Sequence, residues 1–269
     1  MDFQSLVVPA VLTPIILYAA LFAQKHSGPR AAGLIISLPS QLAIGSVGVG
    51  LALGDSAAAQ LCLDASTLMT AQVAYGLAFM WGMSRSGVAL ALSAAMVAYS
   101  VAIAATYAVS PVIGAPVAVL VMIAGGRFVK FETAPVDAEM DRSRQDAMTV
   151  FVGTLGVLGV LVLVEILGTG AAAFLAAMPV VSSILSIAQL KSRGTVASSE
   201  IMGGMIKGLS TYFVFSAVVA LLAEPVGIVF AALAALTATL LTAAVLWKLG
   251  NPQRMYVETT ENEVLTYSS

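Results

Sequence analysis

The stretch Ser37-Leu38-Pro39-Ser40-Gln41-Leu42-Ala43 interrupts a long apolar run, and Ala177-Met178-Pro179-Val180-Val181-Ser182-Ser183 interrupts another further along. A proline inside a helix removes one backbone donor and crowds the carbonyl four residues earlier, here Ile35 and Leu175. Serine and glutamine beside it are polar where the surrounding sequence is hydrocarbon. A chain that does this twice invites the question of what the two interruptions share.

The composition sets the frame. Of 269 residues, 59% are hydrophobic and 10% charged, with a mean hydropathy of +0.98. Soluble domains carry about 25% charged residues. Such a chain cannot cover a globule with water-compatible surface, and its long apolar runs read as transmembrane helices. The alternation of a membrane barrel is missing. Nine spans are expected, at about 5–23, 31–51, 58–82, 87–107, 109–126, 147–167, 170–190, 198–222 and 226–247. The N-terminal Met-Asp-Phe-Gln-Ser lacks the basic start of a secretory signal, so the first apolar segment is expected to persist as a helix.

The loops between these spans sort by charge. Lys25, Arg30, Arg85, Arg127, Lys130, Arg142, Arg144, Lys191, Arg193, Lys248 and Arg254 fall on one side, eleven of the twelve basic residues. The other side holds Asp55 and Glu224 and no Lys or Arg. Cytoplasmic loops carry the Lys and Arg excess, which puts the N-terminus outside and the C-terminus inside.

Shifting the sequence by 140 places Gly28, Ala31, Ala32, Pro39, Ile44, Ser46, Gly54, Ala57 and Gly87 on Gly168, Ala171, Ala172, Pro179, Ile184, Ser186, Gly194, Ala197 and Gly227, without a gap. Spans 1–4 then match spans 6–9. The odd number of intervening spans turns the second copy over. The expected fold is all-α: a polytopic membrane protein of two inverted four-helix repeats joined by a connecting helix. The repeats are residues 1–108 and 147–250. Residues 109–146 form the connecting helix and a cytoplasmic linker with a short surface helix, and 251–269 a cytoplasmic tail. Both prolines fall near the bilayer centre by helical rise. The residues after each begin a half-helix, whose N-terminus suits an anion.

The expected substrate-binding residues are Pro39, Ser40, Gln41, Pro179, Ser182, Ser183, Lys207, Ser210, Thr211, Thr67 and Thr70. Lys207 is the basic residue that escapes the charge sorting. It lies mid-span, where a charge is costly unless it faces the interior, and Gly204 and Gly208 beside it form a small-residue pair for close helix approach. Asp64 and Glu200 are the candidate ion-coupling carboxylates. Cys62 alone cannot form an internal disulfide, and the single histidine, His26, sits in a basic loop. No metal-ligand spacing, nucleophile–base set or phosphate loop is present, so no enzyme, cofactor, metal or nucleic-acid role is expected.

Gly168-x2-Ala171-Ala172, Met178-Pro179, Gly194 after a short basic turn, and Lys207-Gly208 with Tyr212-Phe213 resemble the small four-helix GlpM-type bacterial membrane proteins. That resemblance covers 168–222 and implies an inner-membrane setting and a link to exopolysaccharide production. It supplies no functional residue.

The expected function is secondary transport of a small anionic or amphiphilic solute by alternating access, coupled to H+ or Na+. Two alternatives are a non-transporting accessory subunit of an envelope or exopolysaccharide complex, and a channel or lipid scramblase. A homodimer is compatible with the run Gly153, Gly156 and Gly159, which permits close helix contacts.

Overall fold

A computed structural model describes residues 3–129, 143–167 and 178–250. All its elements there are helices: α1 (Phe3–Ser27), α2 (Pro29–Ile36), α3 (Ser40–Leu53), α4 (Asp55–Ser86), α5 (Val88–Tyr107), α6 (Pro111–Phe128), α7 (Ser143–Leu167), α8 (Val180–Val226) and α9 (Ile228–Gly250). Most of the linker, the tail, and Gly168, Ala171, Ala172 and Leu175 lie outside the described residues.

Glycine and proline punctuate the chain. The described residues with positive φ are Gly28, Gly54, Gly87, Gly194 and Gly227, at values that carry a steric penalty for a residue with a Cβ. Gly54 and Gly194 are 140 apart, as are Gly87 and Gly227. Gly194 bends α8 into two limbs, residues 180–193 and the longer Gly194–Val226. Pro39 (φ −79°, ψ 41°) and Pro179 (φ −80°, ψ 59°) each stand just before a helix start with closely similar geometry. The first interruption is therefore a full break between α2 and α3.

The expected count of nine continuous spans does not survive in the helix lengths. Among the described residues, three helices are long and apolar enough to cross a membrane: Val88–Tyr107, Gly194–Val226 and Ile228–Lys248. Ile113–Arg127, Asp146–Gly159 and Val180–Leu190 are apolar but shorter. The break divides one expected span into α2 and α3, of 8 and 14 residues. At 1.5 Å per residue these are about 12 and 21 Å long, each short of the roughly 30 Å hydrocarbon core. In α4, Gln60, Asp64 and Gln72 dilute the apolar run.

Packing follows the same spacing. One apolar cluster joins Tyr75, Phe79, Met83, Ala91 and Ala95 of α4 and α5 with Met202 and Met205 of α8, and Val88, Met80 and Ile187 pack against it. A second joins Phe215, Val219, Ala223, Ala231, Ala235 and Ile228 of α8 and α9 with Cys62 and Ala65 of α4, with Ala220 and Val47 against it. Each residue named in the second cluster is the 140-residue counterpart of one in the first, with the halves exchanged. A third cluster draws on α1, α2 and both limbs of α8 through Ala20, Leu21, Ala32, Leu185 and Ile201, with Val150 of α7 against it.

Close approach is bought with glycine. A Cβ on Gly82 would meet the Ala91 backbone at 2.5–2.7 Å, one on Gly50 the Ile228 side chain at 2.7 Å, and one on Gly76 the Ile206 side chain at 3.0 Å. Gly153 and Gly156 lie against Leu17 and against Ile184 and Val180. That part of the glycine run packs α7 on α1 and α8 within the chain.

Candidate functional site at the crossing of α4 and α8

The long limb of α8 crosses α4 in opposite chain sense. Low-numbered α4 residues (Ala58, Cys62) share a cluster with high-numbered α8 residues (Val219, Ala223), and Phe79 of α4 shares one with Met202. The middle of α4, by its bounds, falls between Thr70 and Ala71, and the middle of the Gly194–Val226 limb at Ser210. Thr67, Thr70, Ser210 and Thr211 thus belong to the central turns of the two crossing helices.

The break at Pro39 and the helix start after Pro179 are each seated against a long helix, α8 and α4 respectively. At the first, Pro39 is buried, and a Cβ on Gly208 would collide with the Ser37 side chain and stand 3.3 Å from the Leu34 Cα. At the second, Tyr75 Oη and Ser183 Oγ are 2.7 Å apart in a buried hydrogen bond. Tyr75 adjoins Gly76, which faces Ile206, and Gly208 is two residues beyond. The break at Pro39 and the helix start after Pro179 therefore flank one crossing. Pro179 and Lys207 are half-buried, Ser182 and Ser183 are buried, and the side chains of Ser40 and Gln41 lie outside what is described.

The expectation of a carbonyl freed at Ile35 is corrected by the hydrogen bonds. Leu38 N donates to Ile35 O at 3.1 Å, Ser37 N to Gly33 O at 3.2 Å, and Ser37 Oγ to Leu34 O at 2.7 Å. The last turn of α2 closes on itself. The hydroxyls expected to face a substrate are largely turned to their own backbone: Ser183 Oγ donates to Pro179 O, Ser210 Oγ to Lys207 O, Thr211 Oγ1 to Gly208 O and Thr67 Oγ1 to Asp64 O. Such back-bonding satisfies the side chain without water. The Thr67 side chain also packs where Gly114 of α6 gives room.

Charge gathers on the turn side of the crossing. Glu200 is buried and acts on Arg30, and Arg30 acts on Lys207. Glu200, Gly204 and Lys207 lie along one stripe of α8, spaced by a turn. A Cβ on Gly204 would meet the Arg30 carbonyl, and one on Gly33 the backbone of Ile201 and Met205. These bare backbones bring α2 and its first-turn arginine onto the α8 stripe. Reading Arg30 as a loop charge was incomplete. Pro29 in the first turn of α2 is a helix-start signal that places Arg30 inside a helix.

Asp64 is not brought to this group. It is exposed on α4, where its Oδ1 accepts from Gln60 Nε2 at 2.8 Å. His26 ends α1, exposed, its Nδ1 2.8 Å from Phe22 O and its ring 4.2 Å from the Phe22 ring. No group of three or more His, Cys, Asp or Glu residues suited to a metal occurs among the described residues.

No family model, curated protein or solved structure matches the chain. Function is therefore argued from this geometry alone.

Proposed function

We propose that the chain is a bacterial inner-membrane secondary transporter with two inverted repeats, moving a small anionic or amphiphilic solute by alternating access. The observation that carries this reading is the exchange of halves between the two α4–α8 clusters at a constant spacing of 140 residues. Two copies facing each other about an antiparallel crossing, with broken helices beside it, is a common transporter plan.

On this reading α2 and α3 together make one crossing, about 33 Å of helix. Large apolar side chains on the outside, among them Tyr18, Leu51, Val97, Phe151, Leu221 and Phe230, suit contact with lipid. The buried set also holds polar side chains, among them Ser46, Ser66, Thr149, Ser186, Gln189, Ser198 and Glu200. The basic loops orient the N-terminus outside.

Lys207 and Arg30 supply the charge that holds an anion, and the breaks at Pro39 and Pro179 are the points at which each half bends. The test is solute uptake into proteoliposomes with and without an imposed proton gradient. Gradient-driven uptake that is lost in Lys207→Ala supports the proposal. Flux indifferent to the gradient would make the protein a channel or scramblase, and no flux of any small anion would make it an accessory subunit.

A further inference from the structure

The transport reading leaves open what Glu200 does beside two cations. Arg30 opens α2 just after the Gly28 turn, and Glu200 lies six residues after the Gly194 turn. The contacts of α2 with α8 advance in the same sense, Arg30 at Gly204 and Ser37 at Gly208, so the two turns share one end of the molecule. At that end the apolar cluster of Ala20, Leu185 and Ile201 gives way to polar residues. Gln24 follows Ala20 by one turn of α1, Gln189 follows Leu185 by one turn of α8, and Ser198 precedes Ile201 by three residues. Gln24, Gln189 and Ser198 are all at least nine-tenths buried. Gln24 Oε1 and Ser198 Oγ have no hydrogen-bond partner there. Buried polar atoms are nearly always satisfied, so these two atoms call for a further polar partner.

Resting on the transport reading, we infer that Glu200 stands in for the substrate's carboxylate at Arg30, and that a short-chain monocarboxylate takes its place when Glu200 is protonated. The guanidinium fork matches a carboxylate of either origin. The apolar cluster of Ala20, Leu185 and Ile201 beside this layer is the hydrocarbon against which the substrate's alkyl part would lie. The exchange balances: Glu200 gains one proton from solvent and becomes neutral, one carboxylate enters, and the charge at Arg30 and Lys207 is unchanged. Ser198 Oγ can donate to the incoming carboxylate, and Gln24 Oε1 can accept from an O–H. One proton therefore travels with each anion.

Other titratable groups at this end are few. From α1 come Lys25 and His26, both exposed; from α4 Arg85, exposed; from α7 Asp146, half-buried; from α6 Arg127, exposed; from α2 Arg30; and from α8 itself Lys207. On α4, Tyr75 is engaged with Ser183.

The experiment is the thermal midpoint of the purified full chain in detergent, titrated with butyrate, with butanesulfonate and with uncharged 1-butanol. The sulfonate keeps its charge across the range, so its pH dependence belongs to the protein. Expected is protection by both anions and not by the alcohol, with sulfonate affinity rising by about tenfold or more between about pH 8 and pH 5.5, as linkage to one proton requires. Glu200→Gln should bind tightly at both pH values, Arg30→Gln should lose protection at both, and His26→Gln should behave as the parent. A Glu200→Gln protein that binds no more tightly than the parent at pH 8 overturns the inference. So does sulfonate affinity that is flat or rises with pH, a readout that survives if the variant does not fold, and so does protection by neither anion. Binding as expected without flux in proteoliposomes would instead sink the transporter and leave the anion site standing.

Discussion

Gly204→Ala tests the contact on which the site is built. The added Cβ would meet the Arg30 carbonyl oxygen, with the Arg30 carbonyl carbon and the Gly33 Cα both at 3.1 Å. All three are backbone atoms, so no side chain can turn aside, and α2 must move as a body. Overpacking of this kind costs about 1–3 kcal/mol. The control is Gly45→Ala in α3, where a Cβ meets nothing within 4 Å. Both changes gain the same helix-propensity benefit of about 0.5–1 kcal/mol, so their difference isolates the collision. At about 2–4 °C per kcal/mol for a chain of this size, Gly204→Ala should melt about 2–12 °C below Gly45→Ala in detergent. Gly33→Ala touches the same contact from the other side, so the double variant should cost less than the sum of the two singles. Equal midpoints for Gly204→Ala and Gly45→Ala would refute the backbone-to-backbone crossing, and with it the placement of Arg30 beside Glu200.

Three further outcomes are expected. Tyr75→Phe should lower stability by about 1 kcal/mol through loss of one buried hydrogen bond, and Ser183→Ala in that background should cost little more, measured by thermal melts as a double-mutant cycle. Asp55 Oδ1 accepts from Ile228 N at 2.9 Å and caps α9, so Asp55→Ala should cost about 0.5–2 kcal/mol while Asp55→Asn retains much of the cap. Cys62 is fully buried, so maleimide should label it slowly in the folded protein and at the rate of a free thiol after denaturation.

The features legible in the sequence are those set by a residue's own backbone. Pro39 and Pro179 each stand just before a helix start, and Gly54, Gly87, Gly194 and Gly227 take turn conformations that a Cβ disfavours, so the 140-residue shift could be read directly. Features that depend on partners were not legible. Hydropathy gave α4 and the 31–51 segment as plain spans, because it averages over residues and does not see a three-residue break. The direction of a serine or threonine hydroxyl is set by its rotamer, so Ser183, Thr67, Ser210 and Thr211 read as site-lining when each bonds to its own helix. Gly153 and Gly156 read as a surface for another copy and serve α1 and α8 instead. Arg30 was within reach, since Gly28-Pro29 ahead of it marks a helix start, but the charge sorting claimed it for a loop.

On the two-repeat reading proposed above, the two halves differ in their chemistry. Tyr75 and Ser183 are hydrogen-bonded at one break, and their 140-residue counterparts, Phe215 and Ala43, share an apolar cluster at the other. Lys207 answers to Thr67, Glu200 to Gln60 and Gly204 to Asp64. If the halves exchange roles during a cycle, the backbone makes the two end states nearly equal in energy, and these substitutions decide the remainder. A net hydrogen bond of about 1 kcal/mol biases two such states about fivefold, enough to favour the arrangement seen here and little enough for a ligand with modest differential affinity to reverse it. Arg30, Glu200 and Lys207 lie on one side of the crossing only, so an anion bound among them acts on one arrangement and not on its mirror. A symmetric pair of charged sites would bind in both arrangements alike and shift nothing. On this reading the presence of Thr67 and Gln60 where the second half has Lys207 and Glu200 is what gives the ligand its leverage over the fold.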